Sequence, residues 1–270
     1  MSQSNPVSRP TSADQAYHVE HEWEPDGKGG YAHATTIFLT ASECPIGCSM
    51  CDLWQNTLTV PTPPGAIVRQ IKTVLDEPLD HDRQWIKLYN SGNFFDPRSI
   101  PPADYAAIAK LCEPFQRVVV ENHPHIGGDR MLRFNDMLDA QLEIAVGLET
   151  VQPRWLDRLG KRMTRDSFDQ FAQGLIDHHI DLRVFLIVGV PGISTNESAR
   201  WTRSSVRHAV LAGARHISLI PARQGHGWNG QADQLPQCSD QELRDLLNAA
   251  IHDANGYATV TLDTWGRDPT

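Results

Sequence analysis

The sequence predicts an α/β fold, a partial (β/α)6 barrel built on a parallel sheet. Three observations support this fold: β-rich runs alternate with segments of helical period, six such β–α units follow one another, and polar or glycine-rich residues follow every strand. Six consecutive units imply a parallel sheet with helices outside, and right-handed crossovers curl that sheet toward a barrel. A chain of 270 residues with 40% hydrophobic content can bury the core that this fold needs.

Each predicted strand is a short run rich in β-branched, aromatic or other apolar residues. In chain order the six strands cover residues 35–39, 85–89, 117–120, 142–146, 182–188 and 216–220. A last β-rich run, 257–264, is expected to add an edge strand or a cap. Each of the six strands leads into a helical segment, so we expect the strands to be parallel.

The predicted helices follow the strands in turn. They cover residues 66–77, 101–112, 131–138, 166–178, 196–211 and 239–254. In the first helix Ile67, Ile71 and Val74 fall on one face, the spacing of an amphipathic helix. The second begins at a proline, as helices often do. The last begins at Ser239, with Glu242 three residues later, which is a capping box.

Composition predicts three regions. Residues 1–30 are expected to be a flexible leader, because residues 1–15 are polar, rich in serine and proline, and lack an apolar signal core. Residues 31–235 are the predicted barrel core, and 236–270 add a helix and a strand that complete or cap it. No run approaches the ~18–20 apolar residues of a membrane span, so we expect no membrane contact and a cytoplasmic location. The net charge of −9 comes without a long Lys/Arg run or a recognisable RNA-binding module.

Cys44, Cys48 and Cys51 form a C-x3-C-x2-C triplet directly after the first predicted strand. Three thiolates in one short loop can hold three irons of a cubane iron–sulfur cluster and leave the fourth iron to another ligand. Zinc is disfavoured because it needs a fourth ligand, usually from a second cysteine pair, which the sequence lacks. Cys112 and Cys238 lie far from the triplet, so the sequence predicts one cluster. Buried or disulfide-bonded cysteines are the alternative.

The active site of such a barrel lies at the C-terminal ends of its strands, where the cysteine loop also lies. Chemically distinctive residues follow the other five strands: Asn90, Ser91 and Gly92, then Glu121, His123 and His125, then Glu149, then Gly189 and Gly192, then Arg223 and His226. Turn chemistry explains the glycines but not the two carboxylates, Glu121 and Glu149. The histidines are candidates for hydrogen bonds to a substrate or for proton relay. With twelve histidines in the chain, chance positions in loops are the alternative.

These motifs resemble those of the radical S-adenosylmethionine (SAM) superfamily over about residues 34–225. The resemblance implies a TIM-like partial barrel of radical SAM type, one [4Fe-4S] cluster on the cysteine triplet, and SAM on the open iron. It also implies that the carbonyl groups of Asn90-Ser91-Gly92 bind the methionine amino group, Glu121 the polar end of SAM, Glu149 the ribose hydroxyls, and Lys161 the methionine carboxylate. Reductive cleavage of SAM would then yield a 5′-deoxyadenosyl radical that abstracts a hydrogen atom from the substrate.

Within this superfamily, residues 87–97, 120–124 and 147–150, together with Met50, resemble the elongator-subunit-3-like group, and most of all the radical SAM lyase subunit of archaeosine synthase. This resemblance implies a small-molecule or modified-nucleobase substrate, such as a lysine-modified 7-deazaguanine in tRNA, and favours a lyase reaction. It implies an external electron donor of the flavodoxin or ferredoxin type, and leaves tRNA or a partner subunit open as further partners. The alternative function is a non-catalytic iron–sulfur redox or sensor protein.

Overall fold

One sheet of eight strands organises the described part of the chain, and its strands are neighbours in chain order. The computed structural model describes residues 9, 12–79, 83–224 and 227–263. The strands are β1 (His18–Pro25), β2 (Tyr31–Phe38), β3 (Trp85–Tyr89), β4 (Arg117–Glu121), β5 (Gln141–Glu149), β6 (Asp181–Val188), β7 (His216–Pro221) and β8 (Thr259–Leu262). β1 and β2 are antiparallel, and every later pair is parallel. The predicted α/β barrel with a parallel sheet is confirmed.

Among the described residues, an α-helix lies between each two consecutive strands from β2 to β8, and two lie between β5 and β6. They are α1 (Ala66–Asp76), α2 (Tyr105–Cys112), α3 (Asp129–Asn135), α4 (Pro153–Arg158), α5 (Arg165–Asp177), α6 (Thr195–Leu211) and α7 (Asp240–Ala254). The predicted face of α1 is buried, and the capping box at Ser239 starts α7. None of these helices is both long and apolar enough to cross a membrane.

Two elements were not predicted from the sequence. α4 has six residues, too few for a periodic pattern, and is defined instead by Pro153 and by the Gln152 side chain that caps it. β1 lies inside residues 1–30, where the sequence pattern predicts no strand. Three of its eight residues are glutamates, and all three line the inside of the barrel. The run 257–264 yields β8, and Thr264 lies outside the described residues.

The parallel register brings the C-terminal ends of the strands to one edge of the sheet. Phe38 at the end of β2 is level with Tyr89 at the end of β3, and Glu121 at the end of β4 is level with Ala145. The loops that leave β2, β3, β4 and β5 therefore start from the same side of the barrel. This edge holds the cysteine loop.

A layer of charged side chains fills the other end of the barrel. Glu143 of β5 is fully buried and accepts hydrogen bonds from Arg117 Nη1 of β4 at 3.0 Å and from Arg183 Nε of β6 at 3.1 Å. Its Oε1 also lies 2.6 Å from Nδ1 of His216 on β7. Burial alone would raise the pKa of Glu143, but Arg183 and His216 hold it well below its ordinary value. The layer therefore joins four adjacent strands through one ionised carboxylate.

Candidate cluster and cofactor site

A cavity of ≈ 670 Å³ lies at the C-terminal edge of the sheet and extends into the barrel. Its wall includes all three cysteines of the triplet and five further residues that the sequence predicts for the site: Ser91, Gly92, Glu121, Glu149 and Lys161. Asn90 is fully buried and is not part of this wall. Deeper in the barrel the cavity is lined by charged and aromatic side chains, among them Lys87, Tyr89, Arg183 and Phe185.

The three cysteines lie on a loop that other segments hold in place. All three thiols are free and half-buried. The loop is bridged at its start, where Ser42 pairs with Leu58, and near its end, where the Ser49 N–H donates to the Leu159 carbonyl at 2.9 Å. Gly227 packs directly on the loop, because a Cβ at this position would overlap the Met50 carbonyl group. The thiols are thus presented from a fixed backbone.

The donor set of this loop is three free thiols, which suits a cubane cluster in which each thiolate binds a different iron. Asn93 Nδ2 donates a hydrogen bond to Cys44 Sγ at 3.1 Å, the kind of contact that tunes a cluster sulfur ligand. Burial raises the pKa of Cys48, and that of Cys51 to about 11, so cluster assembly would release protons.

The turn Asn90-Ser91-Gly92 has its N–H groups occupied and its carbonyl groups free. The Asn90 N–H donates to Glu121 Oε2 at 3.2 Å, and the N–H groups of Ser91 and Gly92 also stabilise the Glu121 carboxylate. Burial is the larger influence and raises the pKa of Glu121 to about 7. No described group donates a hydrogen bond to the three carbonyl oxygens of the turn. They are therefore available to an ammonium group of a ligand.

Two further features distinguish this turn. Both amide atoms of the buried Asn90 side chain lack a hydrogen-bond partner in the structure. Gly92 lies against the cysteine loop, and a Cβ there would be 3.4 Å from Cys44 Cβ. The turn and the cysteine loop thus meet closely enough to share one small ligand.

Glu149 and Lys161 form a buried ion pair at the end of β5. Glu149 has a left-handed backbone (φ 65°) at a register shift between Gly147 and Glu149. Burial alone would lower the pKa of Lys161, but the Glu149 carboxylate and Cys48 outweigh it and raise this pKa. Lys161 therefore keeps its positive charge beside Glu149 on the cavity wall.

His123 links the turn, the cysteine loop and the Lys161–Glu149 ion pair. Its N–H donates to Asn93 Oδ1 at 2.7 Å, and its ring Nε2 lies 2.8 Å from the Lys161 carbonyl oxygen. Because Nδ1 accepts a hydrogen bond from the His125 N–H at 3.2 Å, Nε2 carries the ring proton and donates a hydrogen bond to the Lys161 carbonyl oxygen. Burial lowers the pKa of His123 to about 4, so the ring is neutral. His123 thus has a positioning contact with a fixed tautomer.

The other predicted histidines are less closely tied to the cavity. The His125 side chain is exposed and is not part of the cavity wall. His226 lies outside the described residues. Sequence analysis assigned no role to Asn93, which joins Cys44 to His123, or to Tyr17, whose hydroxyl contacts Ser91. The position of Asn93 just after β3 was a usable signal, whereas nothing in the sequence around Tyr17 pointed to the site.

Comparisons with known proteins give one sequence relative. No protein-family model matches the chain. The uncharacterized protein MJ0550 of Methanocaldococcus jannaschii is 22% identical over 200 residues, which cover 69% of this chain and 55% of that protein. The chain therefore spans about half the length of the curated relative that it matches.

Several solved structures share the fold. SuiB of Streptococcus suis bound to S-adenosylmethionine has a TM-score of 0.62 at 11% identity, over 83% of this chain and 48% of SuiB. Methylornithine synthase (PylB) has a TM-score of 0.58 at 13% identity, over 88% of this chain and 73% of PylB. Coproporphyrinogen III oxidase (HemN) of Escherichia coli, a radical SAM enzyme, has a TM-score of 0.50 at 16% identity, over 78% of this chain and 50% of HemN. The barrel therefore has a fold that radical SAM enzymes use.

Proposed function

We propose that this protein is a radical SAM enzyme that holds one [4Fe-4S] cluster on Cys44, Cys48 and Cys51. The observation that carries the proposal is one cavity in which three free, half-buried thiols meet the polar groups that SAM needs. Those groups are the free carbonyls of the turn after β3, the Glu121 carboxylate behind them, and the Lys161–Glu149 pair. An iron–sulfur electron carrier would have no use for these polar groups.

Each polar group matches one part of SAM. The carbonyl oxygens of Asn90, Ser91 and Gly92 would accept hydrogen bonds from the methionine ammonium group. Lys161 would pair with the methionine carboxylate, and the Glu149 carboxylate would then be released to accept both ribose hydroxyls, a charge-assisted arrangement. This exchange replaces one ion pair by two ligand contacts, so each of the two charged side chains keeps a hydrogen-bond partner.

A cluster held by Cys44, Cys48 and Cys51 and reduced by an external donor would supply the electron that cleaves the sulfonium C–S bond of SAM, and with it the capacity to abstract a hydrogen atom from the substrate. The chain itself supplies orientation and exclusion of water. The rings of Phe38, Tyr89 and Phe185 line the cavity. The Tyr89 and Phe185 rings pack edge-on, with their centroids 6.0 Å apart. These apolar surfaces shield a reactive radical from solvent.

Formation of 5′-deoxyadenosine tests this proposal directly. After anaerobic reconstitution with iron and sulfide, we expect the protein to convert SAM to 5′-deoxyadenosine when dithionite is added. Cys48→Ala should abolish this activity, because it removes one of the three thiolates. Cys238→Ala is the matched control, since Cys238 is not part of the cavity wall, and it should retain activity. Absence of 5′-deoxyadenosine above the Cys48→Ala background would refute the enzyme in favour of a non-catalytic iron–sulfur redox or sensor protein.

For the substrate we propose a modified nucleobase, either free or within tRNA, and a lyase outcome of the kind found for 7-deazaguanine bases. The support is the sequence resemblance of the segments after β3, β4 and β5 to the archaeosine synthase lyase subunit. Aromatic rings in the cavity wall offer stacking surfaces for a base.

Binding at low salt tests this substrate class. Because phosphate contacts weaken steeply with salt, tRNA should be retained at low ionic strength and released as the salt concentration rises. A free 7-deazapurine should instead bind independently of salt. If neither ligand is retained, the substrate is another small molecule, and the nucleobase proposal fails.

We also propose an external electron donor of the flavodoxin or ferredoxin type. Of the two cysteines outside the triplet, Cys112 is buried in the core and Cys238 lies just before α7, so this pair offers no second cluster site. Electrons for the cluster on the triplet therefore come from another protein. The proposal also leaves room for a partner subunit. Replacement of dithionite by reduced flavodoxin should sustain 5′-deoxyadenosine formation.

A further inference from the structure

Tyr17 connects the segment before β1 to the turn that follows β3. Its hydroxyl lies 2.8 Å from Ser91 Oγ. Its backbone N–H donates to the Phe38 carbonyl at 2.9 Å, and its ring packs on Phe38 with centroids 5.7 Å apart. Backbone, ring and hydroxyl are thus all fixed, so the hydroxyl reaches Ser91 from a rigid position.

Ser91 needs such support because of its backbone conformation. Its φ of 53° lies in the left-handed region, which non-glycine residues rarely adopt unless their surroundings impose it. Glu121 holds the N–H side of the turn, as the contact with Asn90 shows. Tyr17 holds the side chain of Ser91, which is 4% exposed. The turn is therefore clamped between two groups that come from distant parts of the sequence.

We propose that Tyr17 is a positioning residue for the SAM site: its hydroxyl fixes Ser91 and so keeps the turn carbonyls in the arrangement that receives the methionine end of SAM. This inference rests on the proposed function and extends it to a residue outside the cysteine motif and outside the six β–α units. It also gives the segment before β1 a role in the cofactor site.

The Tyr17 hydroxyl is not placed for acid–base chemistry on a ligand in the cavity. Burial also raises the pKa of Tyr17. Tyr17 is not part of the cavity wall, so it acts on a ligand through Ser91.

Tyr17→Phe tests the inference, with Tyr257→Phe as matched control because Tyr257 is 66% exposed. With dithionite as reductant, Tyr17→Phe should raise the KM for SAM roughly two- to tenfold, the effect of losing one neutral hydrogen bond, and leave kcat within about twofold. In the protein without cluster or SAM, hydrogen exchange at the Ser91 and Gly92 amides should become faster. Tyr257→Phe should change neither quantity.

Ser91→Ala removes the same hydrogen bond from the other side and carries the test if Tyr17→Phe does not fold. The double variant should raise KM no more than either single variant, because the second substitution has no bond left to remove. Unchanged KM and exchange in Tyr17→Phe, a fall in kcat at constant KM, or additive effects in the double variant would each overturn the inference. If the wild-type protein forms no 5′-deoxyadenosine, the proposed function fails, and the exchange measurement alone decides whether Tyr17 clamps the turn.

Discussion

At the scale of single residues, the part of the cavity wall formed by Glu149 and Lys161 depends on the absence of a side chain at Gly147. The Lys161–Glu149 ion pair lies directly over this residue, and a Cβ there would overlap Glu149 Oε1 and Lys161 Nζ. Both atoms are ends of flexible side chains, so a substitution would displace the pair without forcing the strand apart. Gly147 therefore controls where one carboxylate and one ammonium group lie.

Gly147→Ala should weaken SAM binding at least tenfold, because it displaces both charged groups that we assign to the ribose and to the methionine carboxylate. Calorimetric titration of the reconstituted protein with SAM measures the effect. Gly174→Ala is the matched control: Gly174 lies in α5 with nothing within 4 Å of a Cβ, and alanine there should raise helix stability by ~0.5–1 kcal/mol without changing affinity. Equal SAM affinity in the two variants would contradict the assignment.

The predicted site residues show how far sequence pattern reaches at this scale. Glu121 and Glu149 line the same cavity as the cysteines because each ends a parallel strand, and the fold class already predicts that such ends meet. Lys161 lies beyond α4, and only the sequence resemblance pointed to it. The hydrogen-bond chain from Cys44 through Asn93 to His123 could not be predicted, because it depends on loop conformations. The SAM-binding roles of Glu121, Glu149 and Lys161 stay predictions.

At the scale of elements, β1 is the strand that the sequence did not reveal. Its charged side chains explain why it was not predicted and how the folded barrel holds it. Glu24 accepts a bidentate pair of hydrogen bonds from Arg183, at 3.1 Å and 2.9 Å, and also pairs with Lys87. Three glutamates in eight residues resemble a solvated segment until the cations on β3 and β6 are brought to face them. Pairing across the barrel interior thus joins β1 to β3 and β6.

Glu24→Gln should loosen β1 and lower the free energy of unfolding by roughly 3 kcal/mol, because it leaves Arg183 with one buried carboxylate fewer. Burial alone would raise the pKa of Glu24, but Arg183 and Lys87 lower it from 4.5 to about 2. Its stabilisation is therefore complete above the unfolded pKa of ~4.5 and is lost as the pH falls toward 2. Urea unfolding of both proteins across this range should show their difference shrinking with acidification.

Glu22→Gln on the same strand is the control for this prediction. The Glu22 side chain is 37% exposed and also pairs with Lys87, so its loss should cost only about 1 kcal/mol or less. If Glu22→Gln and Glu24→Gln destabilise equally, burial of the Arg183 contact does not determine how β1 is held.

At the scale of the whole molecule, the barrel has a chemical division between its two ends. At the C-terminal edge, the carbonyl groups of the turn after β3 have no hydrogen-bond donor among the described residues. At the opposite end, Glu143 is shared by Arg117, Arg183 and His216, which lie on three other strands. One end is therefore suited to hold a ligand, and the other to keep the strands together.

Glu143→Gln should lower the free energy of unfolding by about 3–5 kcal/mol, because it leaves two buried or half-buried arginines without their shared carboxylate. Asp76→Asn in the exposed Lys72–Asp76 pair is the control and should change stability by less than ~0.5 kcal/mol. Chemical denaturation followed by circular dichroism measures both values. A Glu143→Gln protein as stable as the control would mean that the charged layer does not hold the strands together.

The sequence by itself determined the α/β barrel, the order of its β–α units and the cysteine triplet, because periodicity, capping and ligand spacing are local properties of the chain. Tertiary structure alone decided that β1 closes against β2, that Lys161 pairs with Glu149 over Gly147, and that Tyr17 reaches Ser91. These contacts join residues far apart in the chain, and their energy comes from burial and from partners that a local pattern does not contain. A strand of glutamates becomes stable only when the barrel brings Lys87 and Arg183 to it.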